Sequence, residues 1–204
     1  MARVALIGDS HAQALWPIIK PGLTAQGHEV VLSLANPGWS EGKYLTTDLA
    51  GQLRSAAPDI VVYELGANNS KKDPNAYGSD LQRLVTMAKD AGASTIIWFA
   101  PFHSIESANP PVYRNHEDSR AMQARFLPPL GVKWVDTKSY SQTGHRSDGV
   151  HFTSAGYRQL AAQMLPEIRP GGSLVTGGVG WVLPVALGVA AIAIAVALRL
   201  RLSR

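Results

Sequence analysis

The sequence predicts an α/β fold in which a five-stranded parallel sheet carries helices on both faces. Two observations predict it. Short apolar runs alternate with segments of helical signal along the first two-thirds of the chain, and strands separated by helices pair in parallel. The first run, Val4-Ala5-Leu6-Ile7, stops at a small polar cluster, Gly8-Asp9-Ser10-His11, where a strand turns into a helix. In such sheets ligands sit at the carboxyl ends of the strands, so the loops after strands one, two, three and five are expected to face one crevice.

Residues 3–7 read as strand one, a buried apolar run closed by Gly8, with a helix within 12–26 that contains Pro17 and Pro21. Strand two covers 29–34 and ends in the turn-rich Asn36-Pro37-Gly38-Trp39-Ser40-Glu41-Gly42. A helix over 47–56 leads to strand three at 59–65, after which Gly66-Ala67-Asn68-Asn69 opens a polar loop. Leu81, Leu84, Val85 and Ala88 recur at helical spacing and predict an amphipathic helix over 77–91. Strand four covers 94–100. Residues 101–117 hold three prolines and few periodic apolar residues, which predicts a long functional loop. A helix over 118–126, strand five at 132–135 and a helix over 154–165 complete the body.

With 46% hydrophobic and 17% charged residues, the 204-residue chain suits one globular domain and a small appendage. It has no cysteine, which excludes disulfides, thiolate metal sites and thiol nucleophiles. The net charge of +4 is concentrated at the end: without Arg199, Arg201 and Arg204 the chain has 16 basic against 15 acidic side chains. A nearly neutral body with no basic, aromatic-interleaved stripe argues against nucleic acid as a partner. No cluster of His, Asp and Glu has the spacing of a metal site, and no cofactor is expected.

The loops at the strand ends offer the parts of an acyl-transfer site. A serine nucleophile needs an imidazole to take its proton, and the imidazole needs a carboxylate to fix its tautomer. Ser10 supplies the hydroxyl, and Asp148 and His151, three residues apart before a helix, supply the rest. The backbone N–H groups of Ser10 and Gly38 and the amide of Asn68 are candidate donors to an oxyanion. Taken singly, Ser10 is equally a helix cap, Gly38 a turn glycine, Asn68 a loop residue and His151 a surface histidine. Asp9 reads as ordering the turn, and His11 as structural or a rim contact.

In these motifs the sequence resembles the SGNH (GDSL-type) hydrolase family. Gly8-Asp9-Ser10 is similar to its first block, the segment from Asn36 to Gly42 to its second, Gly66-Ala67-Asn68-Asn69 to its third, and Asp148-Gly149-Val150-His151 to its last. The resemblance spans roughly residues 2–168. It implies a flavodoxin-like three-layer α/β/α sandwich and ester hydrolysis through an acyl-serine, with Ser10, Asp148 and His151 catalytic and Ser10, Gly38 and Asn68 forming the oxyanion hole. Asn69 stands where the third block usually ends in aspartate, a change that bears on loop geometry more than on chemistry.

The Gly-Asp-Ser-His opening is similar to that of SGNH domains acting on O-acetylated carbohydrates, including ones attached to membrane acyltransferases. The expected substrate is therefore a short acyl ester, acetyl first, on a carbohydrate or cell-envelope glycan. Trp39, Phe102, His103, Tyr113 and His116 fall in loops that either border the crevice or pack beneath it. Two other readings stay open: a lipid esterase, lysophospholipase or thioesterase, and a membrane-bound structural or glycan-binding module without turnover.

Beyond the expected hydrolase domain, 1–168, a Gly-rich linker over 169–180 precedes an uncharged run of 18 residues, 181–198, and a basic tail, 199–204. A run of that length spans a bilayer at helical rise, so a single-pass membrane anchor is expected. The arginines after it place the C-terminus in the cytoplasm and the domain outside. Yet Met1-Ala2-Arg3 runs directly into strand one without a cleavable signal, which favours a tail-anchored cytosolic domain. A virion membrane is the third option, and the sequence leaves the oligomeric state open.

Overall fold

The computed structural model describes residues 1–69, 73–140 and 143–169. Five parallel strands form one sheet in the order β2-β1-β3-β4-β5: β1 (Arg3–Gly8), β2 (Glu29–Ala35), β3 (Ile60–Glu64), β4 (Thr95–Phe99) and β5 (Lys133–Val135). Side chains of a strand alternate between faces. Val4 and Leu6 of β1 accordingly join one apolar cluster, with Leu15, Trp16 and Ile19 of α1 (Ser10–Ala25) and Leu160 and Met164 of α6 (Ser154–Met164). Ala5 and Ile7 join the other. That second cluster takes in Leu53 of α3 (Leu49–Ala56), Leu81 and Leu84 of α4 (Pro74–Asp90), and Phe126 at the end of α5 (Pro110–Phe126). The result is the expected parallel sheet with helices on both faces.

Three elements differ from expectation. Helix α1 begins at Ser10 and runs through Pro17 and Pro21. Both prolines lie on its exposed side, so the carbonyls they leave without an N–H partner face water. A short helix, α2 (Glu41–Tyr44), follows the β2 loop and had no periodic signal to announce it. The larger correction is the start of α5: the expected helix over 118–126 is present, but it begins at Pro110 and so also occupies the second half of the expected loop 101–117. Its Pro110 and Pro111 sit in the first turn, where their missing N–H groups cost nothing. Its buried stripe is His116, Ser119, Arg120 and Gln123, helically spaced but polar. Hydrophobic periodicity cannot see such a stripe. These side chains bind loop carbonyls: His116 Nδ1 meets Phe102 O at 2.9 Å, Arg120 donates to Pro101 O at 2.7 Å, and Gln123 donates to Leu65 O at 2.9 Å.

Among the described residues no helix is long and apolar enough to cross a membrane. The linker from residue 170, the expected span over 181–198 and the basic tail over 199–204 lie outside the described residues.

Candidate active site

Ser10 stands where β1 gives way to α1, and the sequence explains the sharpness of that turn. A Cβ on Gly8 would lie 2.3 Å from the Ala12 Cβ and 2.9 Å from Glu64 O, so only glycine lets α1 close this tightly on β3. Asp9 then caps the helix, accepting from the His11 N–H at 3.0 Å. Ser10 is thereby fixed in the first turn, where its own N–H has no intrahelical acceptor.

The last loop brings the other two groups to it. His145 and Phe152 form an antiparallel bridge, and Arg146 N–H donates to His151 O at 2.7 Å, so residues 145–152 make a small hairpin. Asp148 Oδ1 accepts from the N–H groups of Val150 and His151, each at 2.9 Å. Its Oδ2 lies 2.9 Å from His151 Nδ1, and His151 Nε2 lies 3.1 Å from Ser10 Oγ. Partial burial alone would raise the Asp148 pKa. The Val150 N–H, the His151 ring and the His151 N–H outweigh that effect and bring it to about 2. Asp148 therefore stays a carboxylate at any working pH, fixing the proton on Nδ1 and leaving Nε2 free to accept from serine.

Gly38 and Asn68 border the same cleft, of about 490 Å³, together with Ser10, Gln13, Arg146, His151 and Tyr157. Gly38 has φ +76°, and the space its Cβ would take is open, so the need for glycine there comes from the backbone alone. The Asn68 amide donates to Asp9 Oδ2 at 3.0 Å and to Trp39 O at 3.3 Å. Both amide hydrogens thus face protein acceptors. The bond to Trp39 O is the longer of the two. Asn69 is buried beneath the loop and donates to Ser119 Oγ of α5 at 3.3 Å, which ties the Asn68 loop to that helix.

Below the serine lies a buried acidic pair. Glu64 is paired with Gly8 across the β1–β3 ladder and its carboxyl interacts with that of Asp9, both carboxyl groups being wholly buried. Burial pushes Glu64 well above the usual carboxylate range, and the charge of Asp9 adds to the effect. Burial also raises Asp9, against the lowering contacts of His11 N–H, Glu64, His151 and Asn68. Like charges this close in a dry site do not both ionise, so the pair holds one proton and Asp9 keeps an acceptor for Asn68. His11, buried beside them, has its ring 5.2 Å from that of His151 and its Nδ1 3.2 Å from the Tyr157 hydroxyl. Burial first, then the charges of His116 and His151, hold its pKa well below the usual range, so it is a neutral packing group.

Of the five loop aromatics, none lines the cleft at Ser10. Phe102 and His116 are buried, and Trp39 packs edge-on to Tyr44 with ring centres 5.0 Å apart. His103 and Tyr113 line a separate cavity of about 660 Å³ on the loop after β4. Gln13, Arg146 and Tyr157, which do line the cleft, had no distinguishing signal in the sequence. Among the described residues no group of three or more His, Asp or Glu side chains gathers as a metal site.

The loop that holds Gly38 rests on a third buried carboxyl. Glu41 accepts a short hydrogen bond from the Tyr77 hydroxyl, which itself accepts from Gln123 at 2.9 Å. Burial raises its pKa from about 4.5 to about 7, more than the Tyr77 bond lowers it. A folded-state pKa raised this way contributes stability below about pH 4.5 that is lost as pH rises through about 7. Glu41→Gln, a neutral mimic, is expected to gain on wild type in thermal midpoint by on the order of 5 °C between about pH 5 and about pH 8.5, read by calorimetry. A constant gap across that range would contradict the assignment.

Residues 6–159 match the GDSL-like Lipase/Acylhydrolase family. No curated protein matches the chain in sequence. Among solved structures, the lipase/acylhydrolase from Enterococcus faecalis superposes with a TM-score of 0.68 at 20% identity, covering 85% of this chain and 100% of that one. A catalytic mutant of Axe2, an acetylxylan esterase from Geobacillus stearothermophilus, gives 0.67 at 16% identity over 81% of this chain and 93% of its own. TesA gives 0.67 at 18% identity over 82% and 98%. At these identities the likeness is one of fold, and it is the family match over three-quarters of the chain that decides membership. The chain therefore belongs to the GDSL-like lipase/acylhydrolase family and is an ester hydrolase.

Proposed function

We propose that the chain removes short acyl groups, acetyl first, from a carbohydrate or cell-envelope glycan through an acyl-enzyme on Ser10. His151 takes the Ser10 proton as Oγ attacks the ester carbonyl, and returns it to the departing alcohol oxygen. The N–H groups of Ser10 and Gly38 and the Asn68 amide receive the oxyanion, while Asp148 balances the imidazolium. Water then attacks the acyl-serine by the same route. The observation that carries the reading is the unbroken line from Asp148 through His151 to Ser10, at 2.9 and 3.1 Å.

The small acyl group is supported by the cleft itself, whose described lining adds only Ala14, Pro37 and Tyr157 as apolar surface to Ser10, Gln13, Gly38, Asn68, Arg146 and His151, with no Leu, Ile, Val, Met or Phe among them. A long acyl chain needs an apolar channel that these residues do not form. The acetylxylan esterase neighbour supports the same direction. Full-length protein assayed on p-nitrophenyl acetate, butyrate and octanoate is expected to favour acetate in kcat/KM by at least about tenfold over octanoate. Preference for octanoate would replace this reading with lipid or thioester hydrolysis.

The uncharged run over 181–198 supports attachment of this domain to a membrane by a single C-terminal span. Retention in the membrane pellet after alkaline extraction is the expected behaviour; release into the supernatant would exclude a spanning anchor.

A further inference from the structure

Among the described residues that line the cleft, Arg146 brings a guanidinium whose bonding capacity is largely unspent. Its N–H donates to His151 O at 2.7 Å, and its carbonyl accepts from Gly149 N–H at 3.0 Å, so its backbone belongs to the catalytic hairpin. Its side-chain Nε donates to Phe152 O at 3.0 Å, which sets the plane of the guanidinium. The four remaining N–H donors meet no acceptor among the described residues, and no carboxylate there pairs with it. The acids of the site are committed elsewhere, Asp148 to His151 and Asp9 to Asn68 and the His11 N–H. An oriented cation with free donors thus lines the cleft beside Ser10.

Its side of the cleft can be stated as well. His151 returns its proton to the departing alcohol oxygen, so the alcohol half of the ester lies toward His151, and the oxyanion donors Gly38 and Asn68 lie on other loops. Arg146 is tied to His151 through the hairpin backbone and therefore sits with the alcohol half. A planar guanidinium with free paired donors matches a carboxylate or phosphate, which accepts two parallel hydrogen bonds.

We infer that Arg146 forms an anion subsite on the alcohol side of the Ser10 cleft, making the preferred substrate an acyl ester whose sugar bears an anionic oxygen group, a carboxylate or a phosphate. This deepens the glycan reading of the proposed function and rests on it. The acyl half remains small and neutral; the charge recognised belongs to the leaving group.

The test is competition against p-nitrophenyl acetate hydrolysis by three probes: an O-acetylated methyl glucuronoside, an O-acetylated glucose 6-phosphate and the corresponding O-acetylated methyl glucoside. Full-length wild type is expected to bind at least one anionic probe about tenfold more tightly than the neutral one, with the preference shrinking at high salt. Whichever anion wins identifies the source, sugar carboxylate or sugar phosphate. Arg146→Gln should reduce the anionic-to-neutral ratio to near unity, and Arg146→Lys should retain part of it. Reading a ratio cancels any general effect of the substitution on the hairpin. Equal inhibition by all three probes in wild type, or a ratio untouched by Arg146→Gln, overturns the anion subsite. Acetate release from the probes is followed in parallel. Its absence from every sugar overturns the glycan reading, while competition still decides the subsite because it reports occupancy whether or not the sugar ester is cleaved.

Discussion

Ser10→Ala is expected to lower kcat on p-nitrophenyl acetate by about 10⁴- to 10⁶-fold while leaving the fold intact. The magnitude follows from what the hydroxyl does. With Oγ gone, the 3.1 Å contact to His151 Nε2 has no proton to pass and no covalent intermediate forms. What survives is the modest acceleration from binding and oxyanion donors. The fold should tolerate the change because α1 is capped by Asp9 and not by Ser10, and because the Gly8 close approach is untouched. Steady-state kinetics with a far-ultraviolet circular dichroism control checks both halves. Residual activity within about tenfold of wild type would place the chemistry on another residue.

Asp148→Asn should cost about 10³- to 10⁴-fold, mostly in kcat. The amide preserves shape, and its oxygen can still accept from the Val150 and His151 N–H groups. Its NH₂ group, however, faces His151 Nδ1 as a donor. The imidazole then carries its proton on Nε2, the wrong side for accepting from Ser10, and the imidazolium loses its counter-charge. KM should move little, because Asp148 does not line the cleft. A rise in KM with kcat preserved would make Asp148 a binding residue instead.

The sequence made β1 and its turn legible because both faces of β1 are buried and the polar break is abrupt. Four apolar residues followed by Gly8-Asp9-Ser10 admit few structures besides a central strand entering a capped helix. The order of the loops, and with it the gathering of Ser10, Gly38, Asn68, Asp148 and His151 at one edge, followed from parallel topology. The first half of helix α5, over 110–117, was not legible for the opposite reason. The helix's buried face is made of His116, Ser119, Arg120 and Gln123, whose reward is hydrogen bonding to carbonyls of loops distant in sequence. No window of local residues reports those carbonyls.

The same limit hid the cleft lining. Arg146 looked like any surface arginine until the hairpin it shares with His151 was visible, and Tyr157 reaches the site only because α6 packs against α1. Asn68 was identifiable by type and position, but its bond to Asp9, 59 residues away in the chain, was not. The loop aromatics misled in part. Phe102 and His116 are rings in a loop region, and only packing shows that they sit under it.

The acyl-serine route is tested most simply by quenching the enzyme during turnover of p-nitrophenyl acetate and mapping the adduct by peptide mass spectrometry. One acetyl group is expected on the peptide carrying Ser10 and is expected to be absent from Ser10→Ala. Full turnover with no acyl group on Ser10, or an acyl group on a different residue that survives Ser10→Ala, would contradict that route.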